Sequence, residues 1–378
     1  MEPGREKTLD IRPIAEAVAQ VDKEEKRNTK TRKAKSRSNK NALSFRSFMI
    51  RAFMFVLCWT CLHSGHAQQT SSGQPTAGER KPTIPEETPT VVLCPDLVYH
   101  AVGKTNLLLD VAYPKQGEGP FPAVVLFHGS GPANKGRKGL VPWAKDLARQ
   151  GYVGIAVGYR CKPEDSFPAP LQDARCAIRW VQQHAATYKI DSDRIGVMGF
   201  SGGGSLACMV GMSRADDSLG GHGGSADQPS PVRAIVSYSG PMDLTRLHES
   251  CVQSIKNQET PLPRKFMSSY VKGALEKWLG GSPTQVPGRY IEASPINHVK
   301  KDGPPILLIH GAADSMVPVE QALLLTKKLL GEGRQVGLVV FDNASHDFDE
   351  RGDARARLAA DATWAFLNQH LKEEKSRE

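Results

Sequence analysis

Ser201 stands at the centre of Gly199-Phe-Ser-Gly-Gly203, a match to G-x-S-x-G. An apolar run at Ile195 to Met198 precedes it, and a glycine-rich stretch running into Leu206, Ala207, Met209 and Val210 follows. A strand that reverses into a helix within a few residues holds its central residue in a strained conformation, and glycines leave room for the crossing. The Ser201 hydroxyl would then project above a sheet beside a helix N-terminus, whose amides favour developing negative charge. A structural serine in a tight turn is the bland alternative; the flanking strand and helix favour a nucleophile. Such a hydroxyl needs a base to take its proton, and the base needs a carboxylate to fix its tautomer. Asp314 and His346 both follow apolar strand ends, in the chain order Ser…Asp…His. Asp243 also follows a strand end and is the alternative acid, whereas Asp347 and Asp349 are too close to His346 in sequence to reach behind its ring. His310 and His128 are expected to brace loops. His222 lies in the Gly-, Ser- and Asp-rich stretch from Met212 to Pro231 and is expected to be solvated.

The elements that must position these groups read as alternating strands and helices. Leu107 to Tyr113 is an early strand. Phe121-Pro-Ala-Val-Val-Leu-Phe127 is a continuous apolar run, as in a strand buried on both faces. It ends in His128-Gly-Ser-Gly131, a glycine-rich turn that can present successive backbone N–H groups to a tetrahedral oxyanion. Trp143 to Gln150 is a helix and Val153 to Tyr159 a strand; a proline-punctuated loop then leads to a helix from Leu171 to His184. Beyond the Ser201 turn come a strand at Ala234 to Ser239 and an irregular excursion over residues 244–304, with short helices around Phe266 to Leu279. A strand at Pro304 to His310, a helix from Val319 to Leu330, a strand at Val336 to Phe341 and a helix from Ala354 to Leu371 complete the chain. This alternation means βαβ units and a parallel sheet, within a catalytic domain over residues 91–375.

The net charge of +9 is uneven. Residues 1–48 carry 13 Lys/Arg against 7 Asp/Glu, so the remaining chain is close to neutral and a nucleic-acid role for it gains no support. Ile11, Ile14, Val18 and Val21 have the spacing of a short amphipathic helix. The Lys-, Arg- and Ser-rich run at residues 22–46 reads as a solvated tail, with nucleic acid or anionic lipid as alternative partners. Residues 49–67 have one basic residue, Arg51, an apolar stretch from Ala52 to Leu62, and small residues at Gly65 and Ala67. That is how a secretory signal peptide reads, and the apolar stretch is too short for a membrane anchor. Residues 68–90 form a polar linker. Cys94, Cys161, Cys176, Cys208 and Cys251 lie beyond it; one or two bridges are open to them, with no pairing readable from spacing. No metal-ligand cluster, phosphate-binding loop or dinucleotide fingerprint occurs, so no cofactor is expected.

Taken together, His128 to Gly131, Tyr159-Arg160 with Pro163-Glu164, Phe167 to Ala169 and Asp173, Asp191 to Gly204, His310-Gly311 with Asp314 and Val317-Pro318, and Ser345-His346 resemble an α/β-hydrolase of the esterase/lipase group. The likeness is to its hormone-sensitive-lipase-like and feruloyl- and acetyl-esterase-like branches. The resemblance implies a mostly parallel eight-stranded sheet with helices on both faces. It also implies Ser201 as nucleophile, His346 as base, Asp314 as its partner, and the N–H groups of Gly202, Ser130 and Gly131 as the oxyanion hole. The family's turn is often His-Gly-Gly-Gly; here Ser130 replaces one glycine. Arg160 and Asp173 are expected to brace a loop.

The first of the two branches covers its acyl pocket with N-terminal helices; a signal peptide and polar linker in that place imply an uncapped, open cleft. An exported enzyme with such a cleft suits acyl groups, acetyl or feruloyl, on polysaccharides. A carboxylesterase of small esters is the next reading. A serine peptidase of dipeptidyl-peptidase type lacks room for its propeller, and a catalytically dead binding module would need a triad position to be missing. A chain begun at Met49 puts Arg51 and the apolar stretch in signal-peptide order. The expectation is a mature protein beginning at Gln68 and recovered outside the cytoplasm, checked by N-terminal sequencing of the native protein. A cytoplasmic chain beginning at Met1 would refute it.

Overall fold

Apolar runs four to seven residues long are too short for core helices, and when buried on both faces they become strands. A computed structural model of the chain describes residues 86–130, 136–161, 165–213, 232–348 and 354–372, all within the unit Thr83–Glu378. Residues 1–85, Gly131, Pro163-Glu164, His222 and Asp349 lie outside the described residues, and with them the signal-peptide and amphipathic-helix readings.

One sheet runs through the unit. Its strands are β1 (Glu86–Glu87), β2 (Val91–Val102), β3 (Thr105–Pro114), β4 (Phe121–Phe127), β5 (Val153–Val157), β6 (Ile190–Phe200), β7 (Val232–Tyr238), β8 (Ile306–Gly311) and β9 (Val336–Phe341). The spatial order is β1-β2-β3-β5-β4-β6-β7-β8-β9, antiparallel from β1 to β5 and parallel from β5 onward. Eight of these are full strands; β1 is a two-residue edge inside the stretch expected to be linker. The sheet also gains β2, whose apolar alternation is broken by Asp96 at φ 58° and by irregular pairing at Cys94/Leu97 and Val98/His100.

The helices are α1 (Arg137–Arg149), α2 (Ala169–Gln183), α3 (Gly202–Met212), α4 (Leu244–Lys256), α5 (Leu262–Leu279), α6 (Pro287–Ala293), α7 (Glu320–Gly331) and α8 (Ala354–Leu367). Neighbouring residues of a central strand feed opposite layers, because side chains alternate across a sheet. Val125, Ile155, Val197 and Ile235 pack with Leu171, Leu206, Leu247 and Leu325 of α2, α3, α4 and α7. Val124, Ala156, Met198 and Val236 pack with Leu147 of α1 and Leu367 of α8. Residues 244–304 are not an irregular excursion: α4 and α5 are helices of 13 and 18 residues. All five cysteines beyond the linker are free thiols, and burial pushes that of Cys208 up to about 12.

One ion pair fixes the loop between β5 and α2. Asp173 on α2 is 1% exposed and accepts from the backbone N of Arg160 at 2.9 Å and from its Nε and Nη2 at 2.8 and 2.7 Å. Arg137 and Lys138 at the start of α1 likewise pair with Asp110 of β3 and Asp96 of β2. Asp173→Ala leaves a guanidinium and an amide without their acceptor. The expected loss is about 3 kcal/mol of unfolding free energy, read from urea denaturation.

Candidate active site

β6 runs straight into α3, and Ser201 is the one residue between them. It sits at φ 52°, ψ −123°, a left-handed conformation that costs an L-residue about 1–3 kcal/mol. The crossing tolerates no side chain on either flank. A Cβ on Gly203 would stand 2.2 Å from the Phe127 carbonyl oxygen and 2.4 Å from that of His128, and one on Gly199 would stand 2.0 Å from the Gly203 oxygen. The Ser201 amide donates to the Tyr238 carbonyl at 2.7 Å, tying the turn to the end of β7.

The turns after β8 and β9 are joined by the Ala313 amide, which donates to the Ala344 carbonyl at 2.9 Å. That junction sets Asp314 behind His346. The Ser201 hydroxyl donates to His346 Nε2 at 2.9 Å, and His346 Nδ1 donates to Asp314 Oδ2 at 2.6 Å. A carboxylate can only accept, so Nδ1 carries the proton and Nε2 keeps its lone pair for the hydroxyl. Asp314 Oδ1 accepts from the amides of Met316 and Val317 at 2.9 and 2.8 Å. His310 Nε2 donates to the Val317 carbonyl at 2.8 Å and lies 3.4 Å from Asp314 Oδ2. Burial alone would raise the Asp314 pKa, but hydrogen bonds from His310 and His346 outweigh it and hold the carboxyl well below the usual carboxylate range.

The remaining sequence candidates fall elsewhere. Asp243 is the N-cap of α4, accepting from the Arg246 amide at 3.0 Å. His128 is buried and stacked on Tyr159 with ring centroids 4.4 Å apart; burial lowers its pKa, so it is a neutral brace. Asp347 is exposed. A Cβ on Gly202 would lie 2.5 Å from Ser130 Oγ and 3.7 Å from its amide nitrogen, so the β4 loop abuts the first turn of α3. The amide of Gly202, the first residue of α3, has no carbonyl one turn back to bond and can face an anion. Among the described residues no group of three or more His, Cys, Asp and Glu could hold a metal ion.

A cavity of about 260 Å³ opens beside Ser201. Its floor is α3, through Ser205, Leu206 and Met209, and α5 roofs it with Val271, Leu275 and Trp278. α5 belongs to the β7–β8 insertion, so this wall of the cavity comes from outside the sheet. α5 is fastened at one end by Phe167, whose amide donates to the Trp278 carbonyl at 3.2 Å and whose ring meets that of Trp278 edge-on. It is fastened to α4 by Glu276, which accepts from His248 at 2.8 Å and Lys272 at 2.7 Å. Sequence reasoning missed these wall residues, because α5 carries apolar residues on two faces and no single stripe marks the wall.

Residues 109–329 match the BD-FAE family, and residues 286–374 match the dienelactone hydrolase family. The chain is similar to the probable carboxylic ester hydrolase LipM of Mycobacterium tuberculosis, 30% identical over 60% of this chain and 49% of that one. It is also similar to esterase LipQ of the same organism, 29% identical over 72% and 61%. The chain thus spans about half to three-fifths of the length of these curated relatives. Among solved structures it resembles the esterase Est2 of Thermogutta terrifontis, with 24% identity, a TM-score of 0.59, and coverage of 75% of this chain and 94% of that one. A truncated carbohydrate esterase from gut microbiota is 25% identical, with a TM-score of 0.58 and coverage of 76% and 99%. These likenesses make the fold that of an α/β-hydrolase.

The depressed Asp314 carboxyl makes a testable link to stability. Its folded pKa lies below the unfolded value of about 3.9, so its contribution is fully present above that pH and is lost as pH falls through the folded value. The stability difference between wild type and Asp314→Asn, from urea denaturation, is therefore expected to shrink from about pH 4 downward as the carboxyl takes up its proton.

Proposed function

The chain belongs to the BD-FAE family, and from that premise we propose that it is a serine esterase acting through an acyl-enzyme on Ser201. The continuous hydrogen-bonded line Ser201–His346–Asp314, opening on an apolar cavity, carries this reading. His346 Nε2 takes the hydroxyl proton as Ser201 Oγ attacks the ester carbonyl. The amides of Gly202, Ser130 and Gly131 hold the oxyanion, and Asp314 stabilises the imidazolium. Collapse breaks the ester C–O bond and the alcohol leaves with the proton from His346. Water then repeats the cycle on the acyl-enzyme, releasing the acid.

The substrate reading is an acyl ester on a polysaccharide, met outside the cytoplasm. The fold likeness to a carbohydrate esterase supports the alcohol side. The cavity supports an acyl group larger than acetyl: its floor follows α3 from Ser201 to Met209, about 12 Å at the helical rise. A second reading, a carboxylesterase of small soluble esters, is favoured by the apolar α5 wall beside Ser201 and differs only in the alcohol.

Ser201→Ala is expected to abolish hydrolysis of nitrophenyl esters with an unchanged melting temperature. Asp314→Asn should cost roughly 10⁴-fold in turnover and Asp243→Asn far less. Wild-type turnover in Ser201→Ala would sink the assignment. On the substrate side, each buried methylene is worth about 0.8 kcal/mol, close to fourfold, so nitrophenyl hexanoate should exceed the acetate at least tenfold in kcat/KM. Release of acid from feruloylated and acetylated xylan decides between the two alcohols, and turnover of simple esters alone would select the second reading.

A further inference from the structure

Ser205 lies one turn of α3 beyond Ser201, in the floor of the cavity, and is 7% exposed. A serine inside a helix usually gives its hydroxyl to the carbonyl one turn back. Here that carbonyl belongs to Ser201 and already accepts two amides, those of Gly204 at 2.8 Å and Ser205 at 3.2 Å. Both lone pairs are taken, and the Ser205 hydroxyl has no hydrogen-bond partner in the described structure. Leu206 and Met209 of α3 and Val271 and Leu275 of α5 line the same cavity. An unpaired hydroxyl in such surroundings is costly unless a ligand or water completes it.

We propose that Ser205 is a specificity-determining residue that recognises an oxygen on the third carbon of the acyl group, so that esters of 3-hydroxy acids are preferred substrates. The inference rests on the acyl-enzyme reading at Ser201. Ser205 lies four residues past Ser201, about 6 Å along the helix axis, a span that an acyl group bound to Ser201 covers by its third carbon with a hydrogen bond of about 2.8 Å. That is the reach of an oxygen on the third carbon. An acyl chain without it must displace water from Ser205 and return nothing, which is how a site built to bond a hydroxyl rejects the analogue lacking one.

The test compares ethyl butyrate with the two enantiomers of ethyl 3-hydroxybutyrate, acid release being followed by pH-stat. Wild type is expected to favour one hydroxy ester over butyrate by about tenfold in kcat/KM, in the range one good hydrogen bond provides. Ser205→Ala should bring that ratio close to one, and Ser205→Thr, which keeps the hydroxyl, should retain a preference. A ratio unchanged in Ser205→Ala, or both esters falling by the same factor, overturns the proposal and leaves the esterase reading standing. A wild-type enzyme that hydrolyses neither ester, nor nitrophenyl esters, overturns both.

Discussion

The rest of the site depends on a close approach of bare backbone. α3 begins in van der Waals conflict with any side chain at Gly203, which would meet the carbonyls of Phe127 and His128, or at Gly199, which would meet the Gly203 carbonyl. With no Cβ there, the chain reverses over one residue and Ser201 takes a conformation that is unfavourable on its own. Its surroundings hold it there. Its amide is bonded to Tyr238, whose ring lies 4.9 Å from that of Phe200 and whose hydroxyl donates to the Ala359 carbonyl at 3.0 Å. The strain at one residue is thus distributed over β7 and α8.

A second consequence of the parallel sheet is that successive strand ends deliver their turns to the same rim. Asp314 and His346 are 32 residues apart, yet they meet because β8 and β9 pair residue for residue from Ile306 with Val336 to Gly311 with Phe341. Their separation is inherited from that register and from the amide bridge between their turns. The carboxylate is bonded on both oxygens, so it has one orientation to offer the imidazole.

Much of this was legible because it rests on short-range signals. The elbow glycines, the apolar runs of β4, β5 and β8 and the strand-end positions of Asp314 and His346 are local patterns with one structural solution. β2 was not legible, since its bulges displace the alternation that would announce a strand. The α5 wall was not legible for a different reason. α5 is apolar on two faces, with Val271, Leu275 and Leu279 buried and Leu262 and Phe266 exposed, so it shows no single stripe to betray what it packs against. Asp243 stood as an alternative acid because a strand-end carboxylate and a helix N-cap look alike until the helix behind it is known. Ser205 was visible as a serine one turn past the nucleophile; its lack of an acceptor belongs to geometry alone.

The roof over the cavity and the chemistry below it come from separate parts of the chain. Nucleophile, base and acid stand on the sheet, whereas Val271, Leu275 and Trp278 belong to an insertion fastened by a ring contact, one amide and an acidic clasp. A side chain at Gly199 or Gly203 would break the turn that holds the nucleophile, whereas an exchange of side chains on α5 reshapes the pocket wall and leaves that turn intact.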